Sequence, residues 1–230
     1  MISNAQLEEL QQTIDYNFKD TALLRTALTH SSYANENKKS GITSNERLEF
    51  LGDSVLGMTV AALIYKSKPN MPEGQMTRLR AELVCEKSLA ALAVTIGLGE
   101  CILLGRGEEK GGGRERPSIL ADAVEAVLAA VYIDGGLTIV KKIVSKYFAP
   151  KLDRFGTENT DYKTALQEMI QEKPGQILSY HIINESGPDH QKSFTVEVLL
   201  NNNGIGSGTG KSKKDAEQAA AKSALGEITK

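Results

Sequence analysis

Residues Asn45 to Gly57 read NERLEFLGDSVLG. Placed on a helix, Glu46, Glu49 and Asp53 fall at i, i+3 and i+7 and share one face. Leu48, Leu51 and Val55 occupy another. Glu49 and Asp53 are then an i, i+4 pair of like charges, which costs an isolated helix roughly 0.2–0.5 kcal/mol. None of the three has a lysine or arginine at i+3 or i+4 to relieve it.

A second instance lies at Ile119 to Leu128, ILADAVEAVL. Asp122 and Glu125 are again three apart, and almost everything around them is apolar. Acidic residues are rarely buried without a partner. One economical arrangement brings the two helices together, so that Glu49, Asp53, Asp122 and Glu125 converge on a divalent cation. Carboxylate oxygens and water suit Mg²⁺, with Mn²⁺ able to substitute, and no His/Cys cluster favours zinc. The other reading of each helix is a solvated acidic face. Composition and spacing leave both readings open.

A carboxylate-held Mg²⁺ fits hydrolysis of a phosphodiester. Other catalytic sets are hard to find. His30, His181 and His190 are scattered, neither cysteine has a nearby histidine, and Ser54 lacks the glycine pair of a nucleophile elbow. Gly105-Arg106-Gly107 lacks the lysine and spacing of a phosphate loop.

Outward from these motifs, the apolar residues from Ala5 to about Phe148 recur at helical spacing, as in Leu89, Leu92, Ala93 and Ile96. Breaks are expected at Gly41, 69–74, Gly97 to Gly99, 105–117 and Gly135-Gly136, with 105–117 a loop rich in glycine and charge. Residues 5–149 therefore read as a helical domain and 150–160 as a linker. Residues 161–229 change texture. A helix from Asp161 to Glu172, capped by Thr160 or Asp161, precedes a strand from Ile177 to Glu185 and a turn at 187–190. Phe194, Val196, Val198 and Leu200 alternate as a second strand, Asn201 to Asn203 turn, and Gly204, Gly206 and Gly208 mark a third. An alanine-rich helix follows from Lys213 to Ile228. Helix, three strands and helix make a small α+β domain.

Lys211, Lys213 and Lys214 crowd the start of that last helix. Cations are unfavourable at a helix N-terminus unless an anion joins them, so either a phosphate site or a solvated basic turn is expected. Gln167, Glu168 and His190 could supply a second patch, the spacing that suits A-form RNA.

The 230 residues carry a net charge of −2, so polyanion binding must be local. Cys85 and Cys101 sit in apolar stretches and read as buried free thiols of a reducing compartment. Met1 to Leu10 has no secretory pattern, and Ile119 to Ile133 is too short and too charged to span a bilayer. A cytoplasmic protein without a membrane partner is expected.

The stretch NERLEFLGDS, Asn45 to Ser54, resembles the defining motif of bacterial ribonuclease III. Thr29-His30-Ser31-Ser32, Pro72-Glu73-Gly74 with Arg78-Leu79-Arg80, and Ser118 to Asp122 through Glu125 are similar to the family's other blocks, in the same order. Gly187-Pro188-Asp189-His190 and the Lys213-Lys214…Ala216-Glu217…Ala219-Ala220 pattern resemble its double-stranded RNA-binding domain. The resemblance covers nearly the whole chain. It implies an all-α nuclease domain followed by an α-β-β-β-α RNA-binding domain.

The resemblance further implies that Glu49, Asp53, Asp122 and Glu125 bind metal, with Asp53 and Glu125 the most sensitive, catalytic pair. Glu46 and Glu73 stand where the family has further acidic residues. Phe50 matches an aromatic that inserts into the partner subunit of a homodimer, where a lone aromatic would otherwise be read as core. RNA-binding residues would be Gln167, Glu168, His190, Lys211, Lys213 and Lys214. The implied activity is cleavage of double-stranded RNA, including ribosomal RNA precursors and other structured transcripts, to 5′-phosphate and 3′-hydroxyl ends, with no small-molecule cofactor. A non-catalytic duplex binder and a nucleotide phosphohydrolase are the rival readings.

Overall fold

The structure, a computed structural model, describes residues 2–154, 162–171, 175–188 and 192–228. The chain divides into two compact units, Met1–Phe155 and Gly156–Lys230.

The first unit is helical. In chain order its helices are α1 (Asn4–Ile14), α2 (Thr21–Ala27), α3 (Ser31–Glu36), α4 (Glu46–Ser67), α5 (Glu73–Leu83), α6 (Glu86–Thr95), α7 (Arg106–Lys110), α8 (Pro117–Gly135) and α9 (Leu137–Arg154). Helix α8 is the axis. Pro117 opens it, where the missing N–H costs nothing. Ile119, Leu120, Ala121, Ala123, Val124 and Ala126 to Val131 are all buried, and α2, α4, α6 and α9 pack around them. A helix apolar on nearly every side belongs in the middle of its domain. Asp122 and Glu125 interrupt that apolar surface, each only half-buried. Helix α4 has the length and composition of a membrane span. Its Leu48, Val55, Leu56, Val60 and Ile64 are buried in the core instead, and it packs against α8.

Three expectations are corrected in this unit. Residues 150–154 are helix rather than linker: α9 runs through Pro150, because Leu152 is buried in the core and the Lys151 ammonium bonds Ser88 Oγ at 2.9 Å. Residues 105–117 are not an open loop. They hold α7, a 3₁₀ turn at Gly113–Glu115 and the start of α8, tied by ion pairs Arg114–Glu109 and Arg116–Glu108. Cys101 is buried but Cys85 is exposed, since it falls in the turn that begins α6 rather than inside a helix.

The second unit holds α10 (Tyr162–Gln171), strands β1 (Leu178–Ser186), β2 (Ser193–Leu200) and β3 (Asn203–Gly210), and α11 (Lys213–Ile228). The sheet is antiparallel in the order β1-β2-β3, with Tyr180 opposite Val198 and Val198 opposite Gly206. Asn201 and Asn202 take positive φ of 50° and 66°, the backbone that a tight two-residue hairpin needs and asparagine tolerates. The alternating glycines of β3 have a packing cause. Added Cβ atoms on Gly206, Gly208 and Gly210 would meet α11 backbone atoms at 2.6, 2.2 and 2.4 Å. Glycine there lets Ala216, Ala220 and Ala224, all fully buried, lie directly on the strand. The expected cap at Thr160 or Asp161 and the end of the turn at Asp189 and His190 lie outside the described residues.

Candidate active site

Helix α4 starts from a knot of backbone hydrogen bonds. The Leu103 N–H donates to the Leu28 carbonyl (2.8 Å), the His30 N–H to the Leu103 carbonyl (3.1 Å), and the Asn45 N–H to the Thr29 carbonyl (2.8 Å). Thr29 and Asn45 are buried polar residues. The Asn45 carbonyl then accepts from the N–H groups of Leu48 and Glu49. The first turn of α4 is fixed in this way, and it carries Glu46 and Glu49 at the helix end whose dipole favours anions.

One turn on, α4 crosses α8 in backbone contact. A Cβ on Gly52 would stand 2.0 Å from the Glu125 carbonyl oxygen and 2.4 Å from its carbon. No side chain larger than hydrogen fits between the two helices there. Glu49 and Asp53 flank Gly52 in the chain on α4, and Glu125, with Asp122 one turn before it, belongs to α8 at the same crossing.

The structure thus brings all four expected carboxylates into one electrostatic cluster. Burial pushes the Glu125 carboxyl up to about 7, reinforced by the charges of Asp53, Asp122 and Glu49. Glu49 is raised by burial, then by Asp122, Glu46 and Asp53. Asp122 is raised by burial, with His30 opposing and Glu86 adding to the shift. Among the described residues, no lysine or arginine ion pair involves any of the four.

As the side chains stand, no group of three His, Cys, Asp or Glu among the described residues is closed around a metal-sized point. The donor set nevertheless fits a hard divalent cation: carboxylate oxygens only, partly desolvated, with a charge excess that burial makes costly.

The metal-free protein should report this strain through its pH dependence. Glu125 titrates near 7 when folded and near 4.5 as the free side chain. Between those values the folded chain holds a proton that the unfolded chain has lost, so stability falls as pH rises through the window. Glu125→Gln removes that contribution. In EDTA the variant should melt above the parent at pH 8 and together with it near pH 4.5, as followed by thermal denaturation.

The accessory residues divide. Glu46 accepts from Ser44 Oγ at 2.8 Å and acts on Glu49. Glu73 lies elsewhere within the chain, in a groove of about 380 Å³ beside the far half of α4, with Ala61, Tyr65 and Arg80. Phe50 is 80% exposed, so it is not a core aromatic.

In the second unit, Lys211, Lys213 and Lys214 are all exposed around the N-terminus of α11, where Ser212 Oγ accepts the Asp215 N–H at 3.1 Å. The Lys213 ammonium lies 5.8 Å from the centre of the Phe194 ring. Gln167 is exposed on α10. The Glu168 side chain and His190 lie outside the described residues.

Residues 20–152 match the Ribonuclease-III-like family and residues 162–228 the Double-stranded RNA binding motif. The chain belongs to the ribonuclease III family. It is 50% identical to Ribonuclease 3 of Pelotomaculum thermopropionicum, over 96% of this chain and 92% of the relative. It is 49% identical to Ribonuclease 3 of Caldanaerobacter subterraneus, over 96% and 98%. A solved nuclease domain of ribonuclease III from Campylobacter jejuni, described for flexibility in a region involved in dimer formation, superposes with a TM-score of 0.57. That domain is 41% identical and covers 62% of this chain and 99% of its own.

This ribonuclease III is therefore an endoribonuclease with a double-stranded RNA-binding domain, of a family of metal-dependent nucleases. Two residues near its site have no sequence signal of their own. Gly52 is only one letter inside the first motif. His30 reads as one of three scattered histidines, although it belongs to the Thr29 to Ser32 block.

Proposed function

We propose that this ribonuclease III hydrolyses double-stranded RNA with Mg²⁺, for which Mn²⁺ can substitute, held by Glu49, Asp122 and Glu125 with Asp53 beside them. The observation that carries the reading is the carboxylate cluster assembled where α4 and α8 touch at Gly52. A divalent cation bound there supplies Lewis-acid activation of water and neutralises charge developing on the phosphate. The chain's own residues do the rest. Asp53 and Glu125 are the catalytic pair, and a cation held beside Glu125 would favour its ionised form. Glu46 lines the approach of the RNA. The products carry 5′-phosphate and 3′-hydroxyl ends.

The working form is a homodimer. Phe50, Met58 and Tyr65 follow one stripe of α4 and are 80%, 50% and 72% exposed. A stripe of large apolar side chains open to solvent is characteristic of a surface that another chain covers. The Campylobacter jejuni nuclease domain, whose description names a region involved in dimer formation, supports the same assembly. The setting is the cytoplasm, and the substrates are ribosomal RNA precursors and other structured transcripts.

In the RNA-binding domain, Gln167, Glu168, His190 and the lysines at the start of α11 contact the duplex. Replacing Lys213 and Lys214 by alanine should weaken binding at every duplex sequence alike. The slope of log K against log salt should flatten by about 1 for each phosphate no longer neutralised, read by filter binding across a salt series. An unchanged slope would make the lysines solvated surface.

The test of the whole reading is cleavage of a defined hairpin duplex. Activity should vanish in EDTA and return on adding excess Mg²⁺. Cutting that persists in EDTA would contradict the metal assignment.

A further inference from the structure

The RNA-binding domain carries a cavity beside the helix face proposed to meet the duplex. It lies between α10 and the residues that lead into β1, with a volume of about 360 Å³, inside the range of small-ligand sites. Its walls carry three glutamine amides, Gln167, Gln171 and Gln176, and the apolar side chains of Ile170, Ile177 and Leu178. The β1 side is pinned. The Ile177 N–H donates to Asn201 Oδ1 and the Asn201 N–H to the Ile177 carbonyl, both at 2.9 Å.

Two features of the wall call for a ligand. The Oε1 atom of Gln176 is shielded from solvent and has no hydrogen-bond partner among the described residues. A buried acceptor left without a donor is costly, so each such atom in a native fold needs a reason. Ile177, a large apolar side chain at the same wall, is 71% exposed. The lysine of the wall is already engaged: Lys163 Nζ pairs with Glu217 Oε2 at 2.6 Å and stands 4.6 Å from the centre of the Tyr180 ring. The cavity therefore offers neutral amides and apolar surface, which suit neither a phosphate nor a metal ion. They suit a flat group with apolar faces and N–H donors on its edge, and an unstacked nucleobase is such a group.

We propose that this cavity takes the base of an unpaired nucleotide, a bulged adenosine above all, projecting from the duplex that lies against Gln167. A paired base would have to be unstacked first, whereas an unpaired one enters at little cost. A base N–H supplies the donor that Gln176 Oε1 lacks. The glutamine amide, an acceptor and a donor side by side, matches N6–H and N7 of adenine, a pairing that typically discriminates by about 5–150-fold. The domain then reads a local departure from a perfect duplex as well as the duplex itself. The inference rests on the proposed contact of Gln167 with RNA, since Gln167 is exposed on α10 and also lines the cavity.

The test compares three hairpin RNAs bound by the full chain in EDTA: a perfect duplex, the same duplex with one bulged adenosine, and the same bulge with an abasic nucleotide. The abasic bulge distorts the backbone alike but has no base to insert. The adenosine bulge should bind at least about 5-fold more tightly than the abasic one. Gln176→Leu should remove that difference and leave Kd for the perfect duplex unchanged. Equal Kd for the two bulges in the parent, or a difference that survives Gln176→Leu, would overturn the proposal. If the leucine variant does not fold, Ile177→Ser, at an exposed position, decides: the difference should shrink, and an unchanged difference overturns the proposal. Gln167→Ala is measured on the perfect duplex. An unchanged Kd there would remove the α10 contact from the proposed function, while the adenosine-to-abasic comparison judges the cavity separately.

Discussion

Glu125→Gln should reduce cleavage of duplex RNA by at least about 10³-fold while leaving duplex binding nearly unchanged. The magnitude follows from removing a group that acts on the transition state, where single contributions reach roughly 10²–10³ and the removal of a metal ligand adds to them. The substitution keeps size and hydrogen-bonding capacity but removes the charge. Glu125 is the most strongly shifted carboxyl of the cluster, held near 7 by burial and by Asp53, Asp122 and Glu49. It is therefore the group whose ionisation depends most on a compensating cation. Binding survives because the RNA-binding domain, with its own core of Leu166, Phe194, Val196, Val198 and the alanines of α11, is a separate unit. Single-turnover cleavage and a gel-shift titration in Ca²⁺ or EDTA measure the two quantities separately. A variant that cuts at the parental rate in Mg²⁺ would remove Glu125 from the mechanism.

Gly52→Ala is expected to have the largest effect on stability of any single methyl group added near the site. The new carbon would overlap the Glu125 carbonyl at 2.0 Å, and backbone cannot rotate aside as a flexible side chain does. The helices must separate. Overpacking a core typically costs about 1–3 kcal/mol, and contact with backbone places this case at the upper end or beyond. About 3 kcal/mol corresponds to a melting temperature lower by about 6–12 °C for a domain of this size. Widening the crossing also pulls Glu49 and Asp53 away from Asp122 and Glu125, so the surviving folded fraction should bind metal weakly. Thermal melts with and without Mg²⁺ read both effects: the parent should gain stability from the ion and the variant should gain much less. Gly57, on the same helix with no atom of its own chain near an added Cβ, is the control, and Gly57→Ala should leave the fold of the subunit intact.

The difference between these two glycines shows where the sequence was legible. Periodicity placed α4 and α8 and put Glu49, Asp53, Asp122 and Glu125 on consistent faces, because helical spacing is a local property. Alternation along β2 and the asparagine turn marked the sheet for the same reason. Nothing local distinguishes Gly52 from Gly57. Only the tertiary crossing makes one indispensable. The same holds for α9, where burial of Leu152 carries the helix past Pro150 against the local preference. It holds also for Gly105 to Arg116, where ion pairs from Arg114 and Arg116 organise a stretch whose glycine content suggested an open loop.

The most direct measurement is the location of the ion itself. Crystals soaked in Mn²⁺ and recorded at its absorption edge should show an anomalous peak within coordination distance of carboxylate oxygens from Glu49, Asp122 and Glu125, with Asp53 alongside. A saturating soak that leaves this crossing of α4 and α8 without a peak, or places the ion on other residues, would contradict the account.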